Sequence, residues 1–381
     1  MAWAFSWLRT WDEVWDEAHL AQWTGAYRPG SGARVTPFMH PGVVRAWIRT
    51  HGEDRLDPFF LRARHPDGRL VLMAFVRRRA SWRGAFIKTF APVGGGDFDY
   101  NEPIVLPSRT GEASLCPSFW PGLAAELEAR AGAWFDRFER VKLRAPCLGG
   151  ADIGEAAESI AILRLDPYAS GEAFLMSRSK KLRKWIRRIE RGLAEEGALA
   201  FTVHAASERD RVLDWIPAFV AERGRRHSSS QPLPVVETYF ANLVREGIES
   251  GIVHCSSITL DGRALSWEVN FHLHGIFYGY SCAFDPAFSQ LSPGSLHNFK
   301  QIEWLIENGS EAYDFMRGAD AYKESWTDGE SVPLHHFDLA SAAPSSLLRL
   351  GVQRGLRAIR QLPRRSSTAR EAGSTATSRQ G

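Results

Sequence analysis

SPGSLHNFKQIEWLIENGSEAYDFMRGADAYKESW, residues 292–326, is the stretch whose reading decides the fold. Apolar residues recur at Leu296, Phe299, Ile302, Leu305 and Ile306, the spacing of one helix face. Ser292 before Pro293 suits an N-cap with proline at the first helical position, and Gly309 suits the stop. Residues 311–316 read as a short strand, and 320–326 as a further helix. Upstream, 252–260 reads as a strand that turns at Asp261-Gly262, a dipeptide that tolerates the positive φ of a tight hairpin. Residues 263–273 alternate: Trp267, Val269, Phe271 and Leu273 take one face, and Glu268, Asn270, His272 and His274 the other. A second turn at His274-Gly275 leads to an aromatic strand over 276–284 and a loop over 285–294.

Three antiparallel strands, a helix, a strand and a helix set a helix amino terminus at the end of a central strand. Backbone N–H groups at Gly294, Ser295 and Leu296 then face outward with the helix dipole behind them, an arrangement that binds anions. Ser-Pro-Gly is also an ordinary capped helix start, and both readings stand at this point.

Composition bounds the rest. A chain of 381 residues predicts two domains plus extensions, and 44% hydrophobic residues with 14 Trp fill substantial cores. A formal net charge of +3 supplies no global field for DNA. Cys116, Cys147, Cys255 and Cys282 form no CxxC pair and have no histidine at ligand spacing, so free thiols and no metal site are expected. The first 20 residues lack a signal peptide's basic start and apolar run, and no apolar stretch approaches the ~20 residues of a spanning helix. A cytoplasmic protein is expected.

The 292–326 block resembles the BioF2-like (CelD-like) acetyltransferase domain of the GNAT superfamily, a branch related to the FemABX aminoacyltransferases. The shared pattern is a Ser-Pro-Gly helix start, glycine after the helix, an Asp-Phe strand, then glycine and Tyr-Lys before Trp. SRSKKLRKWIRRIERG (177–192) resembles the basic helix that opens this domain, and VTPFMHPGVVRAWIRTHG (35–52) its amino-terminal helix. The resemblance spans about Val35 to about Asp338. Gln290 to Ser295 only approximates the Arg/Gln-x-x-Gly-x-Gly/Ala loop of ordinary GNAT enzymes. The resemblance implies an α/β (α+β) fold of tandem GNAT-like domains, each a mixed, mostly antiparallel sheet flanked by helices. It also implies acyl-CoA or acetyl-CoA as co-substrate, held at Ser292, Gly294, Ser295 and Leu296.

The first half repeats the order of elements: 58–64, a turn at Asp67-Gly68, 69–79, 84–90, a helix near 118–131 and a strand at 140–145. Its corresponding loop, APVGGGDFDYNEP, carries Asp97, Asp99 and Glu102, which repel a pyrophosphate. The expected organisation is a non-catalytic domain at 1–165 that closes the acceptor cleft through Tyr100 and Asn101, and a transferase domain at 166–343. A basic helix at 344–365 and a disordered tail at 366–381 follow.

Acyl transfer from a thioester needs a base, an oxyanion donor and a proton for the leaving thiolate. Glu268 is the preferred base, because desolvation on a central strand raises a carboxylate's pKa; an exposed strand face is the plain alternative. His272 is the second candidate, since imidazole titrates near neutrality. By resemblance, Tyr322 protonates the thiolate and Lys323 stabilises the charged intermediate. Arg226 and His227, in the polar stretch 222–234, are candidate contacts to an anionic or sugar acceptor, with a solvated loop as the alternative.

Over 179–193, Leu182, Trp185, Ile186, Ile189 and Leu193 form an apolar face among seven cations, an outer surface suited to a polyanion or to water alone. The segment 345–365 opposes Leu347, Leu350, Leu356 and Ile359 to Arg349, Arg354, Arg357 and Arg360, a pattern that docks on the protein's own core or lies on a membrane surface, here the inner membrane. Three functions follow. The first is acyl-CoA-dependent N- or O-acylation, with a small-molecule, sugar or exopolysaccharide-precursor acceptor by family association. The second is FemABX-like transfer from charged tRNA, and the third a non-catalytic scaffold for a polysaccharide synthase.

Overall fold

The computed structural model describes residues 3–79, 86–153, 155–226, 231–318, 321–340 and 343–361. In the first half, β1 (Ala4–Leu8), β2 (Leu56–Arg64), β3 (Leu70–Arg78), β4 (Thr89–Pro92), β5 (Ile104–Leu106) and β6 (Arg137–Phe138) form a sheet of order β1-β2-β3-β4-β6, with β5 paired to β3. The second sheet runs β7-β14-β8-β13-β12-β11-β10-β9. Its strands are β7 (Val141–Arg144), β8 (Ala156–Arg164), β9 (Leu199–Val203), β10 (Val253–Leu260), β11 (Arg263–Leu273), β12 (Ile276–Phe284), β13 (Ala312–Arg317) and β14 (Ser331–Phe337). The α-helices are α1 (Trp11–Val14), α2 (Glu17–Gly25), α3 (Pro41–His51), α4 (Phe119–Glu128), α5 (Gly171–Ser177), α6 (Lys180–Glu196), α7 (Arg209–Arg226), α8 (Leu233–Gly247), α9 (Pro293–Glu307), α10 (Ala321–Trp326) and α11 (Pro344–Gln361).

Both hairpins of the second sheet form at the expected dipeptides, with Asp261 at φ 49°, Gly262 at 79°, His274 at 49° and Gly275 at 75°. The tandem expectation holds: β2-β3-β4-α4-β6 echoes β10-β11-β12-α9-β13, and in both units the strand after the helix pairs parallel with the third strand. The counterpart of β13 is nevertheless β6, two residues long, and not the strand expected at 140–145. That segment forms β7 and pairs with β14 in the other sheet. Hydrogen bonding between strands nearly 200 residues apart leaves no local trace, so the sequence could not reveal it.

Of the three hydrophobic clusters among the described residues, the largest spans both halves. Phe38, Trp23 and Trp47 of the first half pack in the same cluster as Val269, Phe271 and Leu334 of the second. α3 and α8 meet at Gly42, where an added Cβ would lie 2.5 Å from the Glu246 carbonyl oxygen, so only glycine permits the approach. Arg144 of β7 carries a buried charge cluster across the joint. Its Nε lies 2.7 Å from Glu102 Oε1 and its Nη1 3.1 Å from Asp314 Oδ2, and the Tyr100 hydroxyl donates to Asp314 Oδ1 at 2.7 Å.

α6 buries Leu182, Ile186, Ile189 and Leu193 as expected, but Trp185 is 38% exposed rather than in the core. None of the four cysteines forms a disulfide. Among the described residues, no helix is long and apolar enough to cross a membrane.

Candidate active site

The site arises where the second sheet parts. β12 and β13 pair only at Ile276–Ala312, Phe277–Tyr313 and Tyr278–Asp314, then diverge. At the next residue, Gly279, a Cβ would sit 2.7 Å from the Tyr313 ring, so a larger side chain would collide at the fork. A short 3-10 turn, Pro286–Leu291, carries the chain from β12 to α9, whose amino terminus faces the opening. Ser292 occupies the N-cap position at φ 47°, but its side chain makes no capping hydrogen bond, contrary to the expected role. Ser292, Gly294 and Ser295 instead line a cavity of about 1430 Å³.

Glu268 lies on the floor of this cavity, in the middle of β11. It is buried, and burial raises its pKa to about 7, an effect partly offset by the Asn270 amide, which donates to Oε2 at 2.7 Å. Asn270 sits at the bulge where the β11–β12 register shifts, and its Oδ1 accepts from the Tyr280 and Ser281 backbone N–H groups at 2.8 and 3.2 Å. The bulge thus fixes the amide that orients the carboxylate. Behind Glu268, His297 Nδ1 stands 4.0 Å from Oε1. Its ring is gripped by Ser266 Oγ at 2.7 Å and Ser256 Oγ at 2.9 Å, and burial lowers its pKa to about 3. A neutral imidazole leaves Glu268 without a counter-cation. Gln301 Oε1 accepts from Ser256 and bonds His254, extending the buried polar chain.

Sequence reasoning missed Asn270 and the His297–Gln301 pair. The available signal was polar residues at 297 and 301, one turn apart on the buried side of α9 beside Leu296 and Leu305. Asn298 was missed too: it lines the cavity, and its buried Nδ2 has no hydrogen-bond acceptor among the described residues.

Other expected residues fall elsewhere. His272 does not line the cavity; it is four residues from Glu268, ~13 Å along a strand, and bonds Ser310 Oγ at 3.1 Å. Leu296 is fully buried in the core below the opening. Tyr100 and Asn101 are buried in the joint between the halves: Tyr100 bonds Asp314, and Asn101 bonds the Val93 carbonyl at 3.3 Å, so neither lines the cleft. The residues of that loop that line it are Gly96, Asp97 and Asp99. Arg226 ends α7, and His227 lies outside the described residues.

Tyr322 is 55% exposed and lines the opening. Lys323 lines the cavity but is buried, its ammonium donating to the Arg317 and Gly318 carbonyls at 3.0 Å each and to Met316 at 3.4 Å. It caps the end of β13, within which Met316 sits at φ 61°. Lys181, Lys184 and Arg188 of α6 line the cavity along with the amino terminus of α9. Asp97 and Asp99 line it from the first half, Asp97 with His51 at 3.5 Å and Asp99 with Arg317 at 3.5 Å.

A parted parallel strand pair with a helix amino terminus at its mouth and a buried carboxylate on its floor is the arrangement of a GNAT-type fold. Residues 180–324 match the acetyltransferase (GNAT) domain family. The chain is similar in fold to FemX, at 12% identity and a TM-score of 0.50, over 84% of this chain and 99% of that one. Further structural matches include the DUF2156 domain of a putative lysylphosphatidylglycerol synthetase from Agrobacterium fabrum, at 13% identity and a TM-score of 0.49, over 87% and 95% of the two chains. Another is a tandem GNAT protein from the clavulanic acid biosynthesis pathway, at 12% and 0.44, over 90% and 99%. No curated protein matches the sequence.

Proposed function

We propose that the carboxy-terminal half transfers an acyl group from acyl-CoA to an amine or hydroxyl, with the amino-terminal half as the non-catalytic wall of the acceptor side. One observation carries this reading: a single cavity joins the amino terminus of α9 to a buried carboxylate poised near neutrality. In this mechanism the pyrophosphate lies at Gly294 and Ser295, with Lys181, Lys184 and Arg188 near the remaining phosphate. Ionised Glu268 takes the proton of the attacking group as its lone pair adds to the thioester carbonyl. The tetrahedral intermediate collapses, the C–S bond breaks, and Tyr322 supplies a proton to the thiolate. Lys323 holds the strand end that carries Asp314 and Met316, a positioning role rather than contact with substrate. At Asp97 burial is outweighed by hydrogen bonds from His51 and Trp47, which lower its pKa, so it favours an acceptor bearing positive charge, such as an alkylamine, over an anionic one. Asp99 is paired with Arg317. The Asn298 amide is a further donor toward bound substrate, and Asn298→Ala is expected to raise the KM for acyl-CoA severalfold in steady-state kinetics.

The α6 cations also support a second reading, aminoacyl transfer from charged tRNA as in the FemABX enzymes that the sequence resembles. Thermal denaturation separates the two. Acetyl-CoA at 100-fold over its Kd is expected to stabilise the protein by ~2.7 kcal/mol, with tRNA giving no shift at moderate salt. A shift with tRNA alone, lost steeply as salt rises, would replace the acyl-CoA reading. A sugar or exopolysaccharide acceptor remains a proposal from family resemblance, tested by offering amino sugars beside simple alkylamines.

A further inference from the structure

α11 docks on the protein the wrong way round for an ordinary amphipathic helix. Its attached side is polar. Ser346 is fully buried and donates to Asp136 Oδ1 at 2.7 Å, while Arg349 reaches both oxygens of Asp136 at 3.0 and 2.6 Å. Arg137 donates to Gln353 Oε1 at 2.6 Å. The docking is close: a Cβ on Gly132 would lie 2.8 Å from that of Ala343. Burial opposes the charge on Asp136, but hydrogen bonds from Arg349, the Lys88 N–H and Ser346 outweigh it and hold its pKa low, so the anchor stays ionised.

The opposite side is apolar and open. Leu347 is 57% exposed, Leu348 71% and Val352 51%. At 100° per residue, positions 347, 348, 351, 352, 355, 358 and 359 share one arc, and the sequence places no polar residue there. A helix that only covered its own domain would turn these leucines inward. From 339 to 370 the chain holds arginines at 349, 354, 357, 360, 364, 365 and 370 and no acidic residue.

We propose that α11 is an interfacial helix that seats the protein on an anionic bilayer surface through Leu347, Leu348 and Val352, while Ser346 and Arg349 tie it to Asp136. Charge selects this occupant. A second copy of the chain would bring two arginine-rich segments together, whereas anionic lipid head groups complement them. The exposed arc also carries Gly351, a small residue suited to shallow insertion.

The test is flotation of the full-length protein with vesicles of phosphatidylcholine alone or with 30 mol% phosphatidylglycerol added. The expected result is recovery at least ~10-fold higher with the anionic vesicles, falling as salt rises. Leu348→Glu/Val352→Glu is expected to abolish flotation while keeping the thermal shift with acetyl-CoA, which separates this proposal from the transferase assignment. Failure of the wild type to float at low salt would overturn the proposal, as would equal flotation of the double variant. A wild-type dimer that the double variant converts to monomers, with no vesicle binding, would also overturn it by assigning the face to a second copy.

Discussion

Glu268→Gln is expected to lower the transfer rate by about 10²- to 10⁴-fold, the range associated with loss of a general base. The pH dependence identifies the cause. Burial sets the carboxyl pKa at about 7, so only above that pH is the base ionised, and wild-type kcat/KM is expected to rise with pH and level off past ~7. The glutamine variant should lose that limb. Stability moves the opposite way. A carboxyl whose folded pKa exceeds its unfolded value of 4.5 binds its proton more tightly when folded. Its favourable contribution is fully present below 4.5 and lost as pH rises to about 7, a penalty on the order of 3 kcal/mol above neutrality. Glu268→Gln should therefore be no less stable than wild type at pH 8 in urea unfolding. A variant that is both inactive and unstable at that pH would mean that Glu268 serves the fold. Full activity in Glu268→Gln would remove the base assignment.

Arg144→Met is expected to destabilise the protein by about 3–5 kcal/mol, the cost of stripping the partner from buried charge. Arg144 forms a two-point pair with Glu102, 2.7 Å at Nε–Oε1 and 2.9 Å at Nη2–Oε2, and a further contact to Asp314. Burial opposes the charge on Glu102, yet its pKa is lowered because Arg144 outweighs that effect. At Asp314 burial wins and the pKa is raised. Without Arg144 both carboxylates would be desolvated anions side by side. The deficit should shrink as pH falls, because burial without Arg144 favours the protonated form of both carboxyls. A deficit equal at pH 5 and pH 8 would show that the loss is packing of the arginine stem and not charge. The joint also fixes β13, whose Asp314 ends the pairing with β12, so a partly unfolded joint should weaken acetyl-CoA binding as well.

The legible parts of this molecule were those encoded over short distances. Asp261-Gly262 and His274-Gly275 demand tight turns, and the spacing from Leu296 to Ile306 demands a helix that starts at Pro293. Together they locate the cavity mouth and Glu268. Residues whose environment is set by distant strands were misread. His272 and Glu268 share an alternation pattern, but a bulge at Asn270 and the length of the strand separate them, and β11 is buried on both faces, so polarity along it does not mark the open side. Tyr100 and Asn101 sit in a loop whose neighbours, Asp97 and Asp99, reach the cleft. The choice between them depends on Arg144, a residue of the other sheet. Trp185 fits the apolar stripe of α6 but stands at the cavity rim. α11 was legible as amphipathic, whereas its polar-side docking required knowing where Asp136 lies.

Calorimetric titration of acetyl-CoA into the intact protein at pH 8 tests the central claim most directly. One saturable site, abolished when Gly294→Asp sets a carboxylate at the start of α9, is the result expected of a pyrophosphate held there. No binding heat at several temperatures from folded wild-type protein, or unchanged binding in Gly294→Asp, would contradict it.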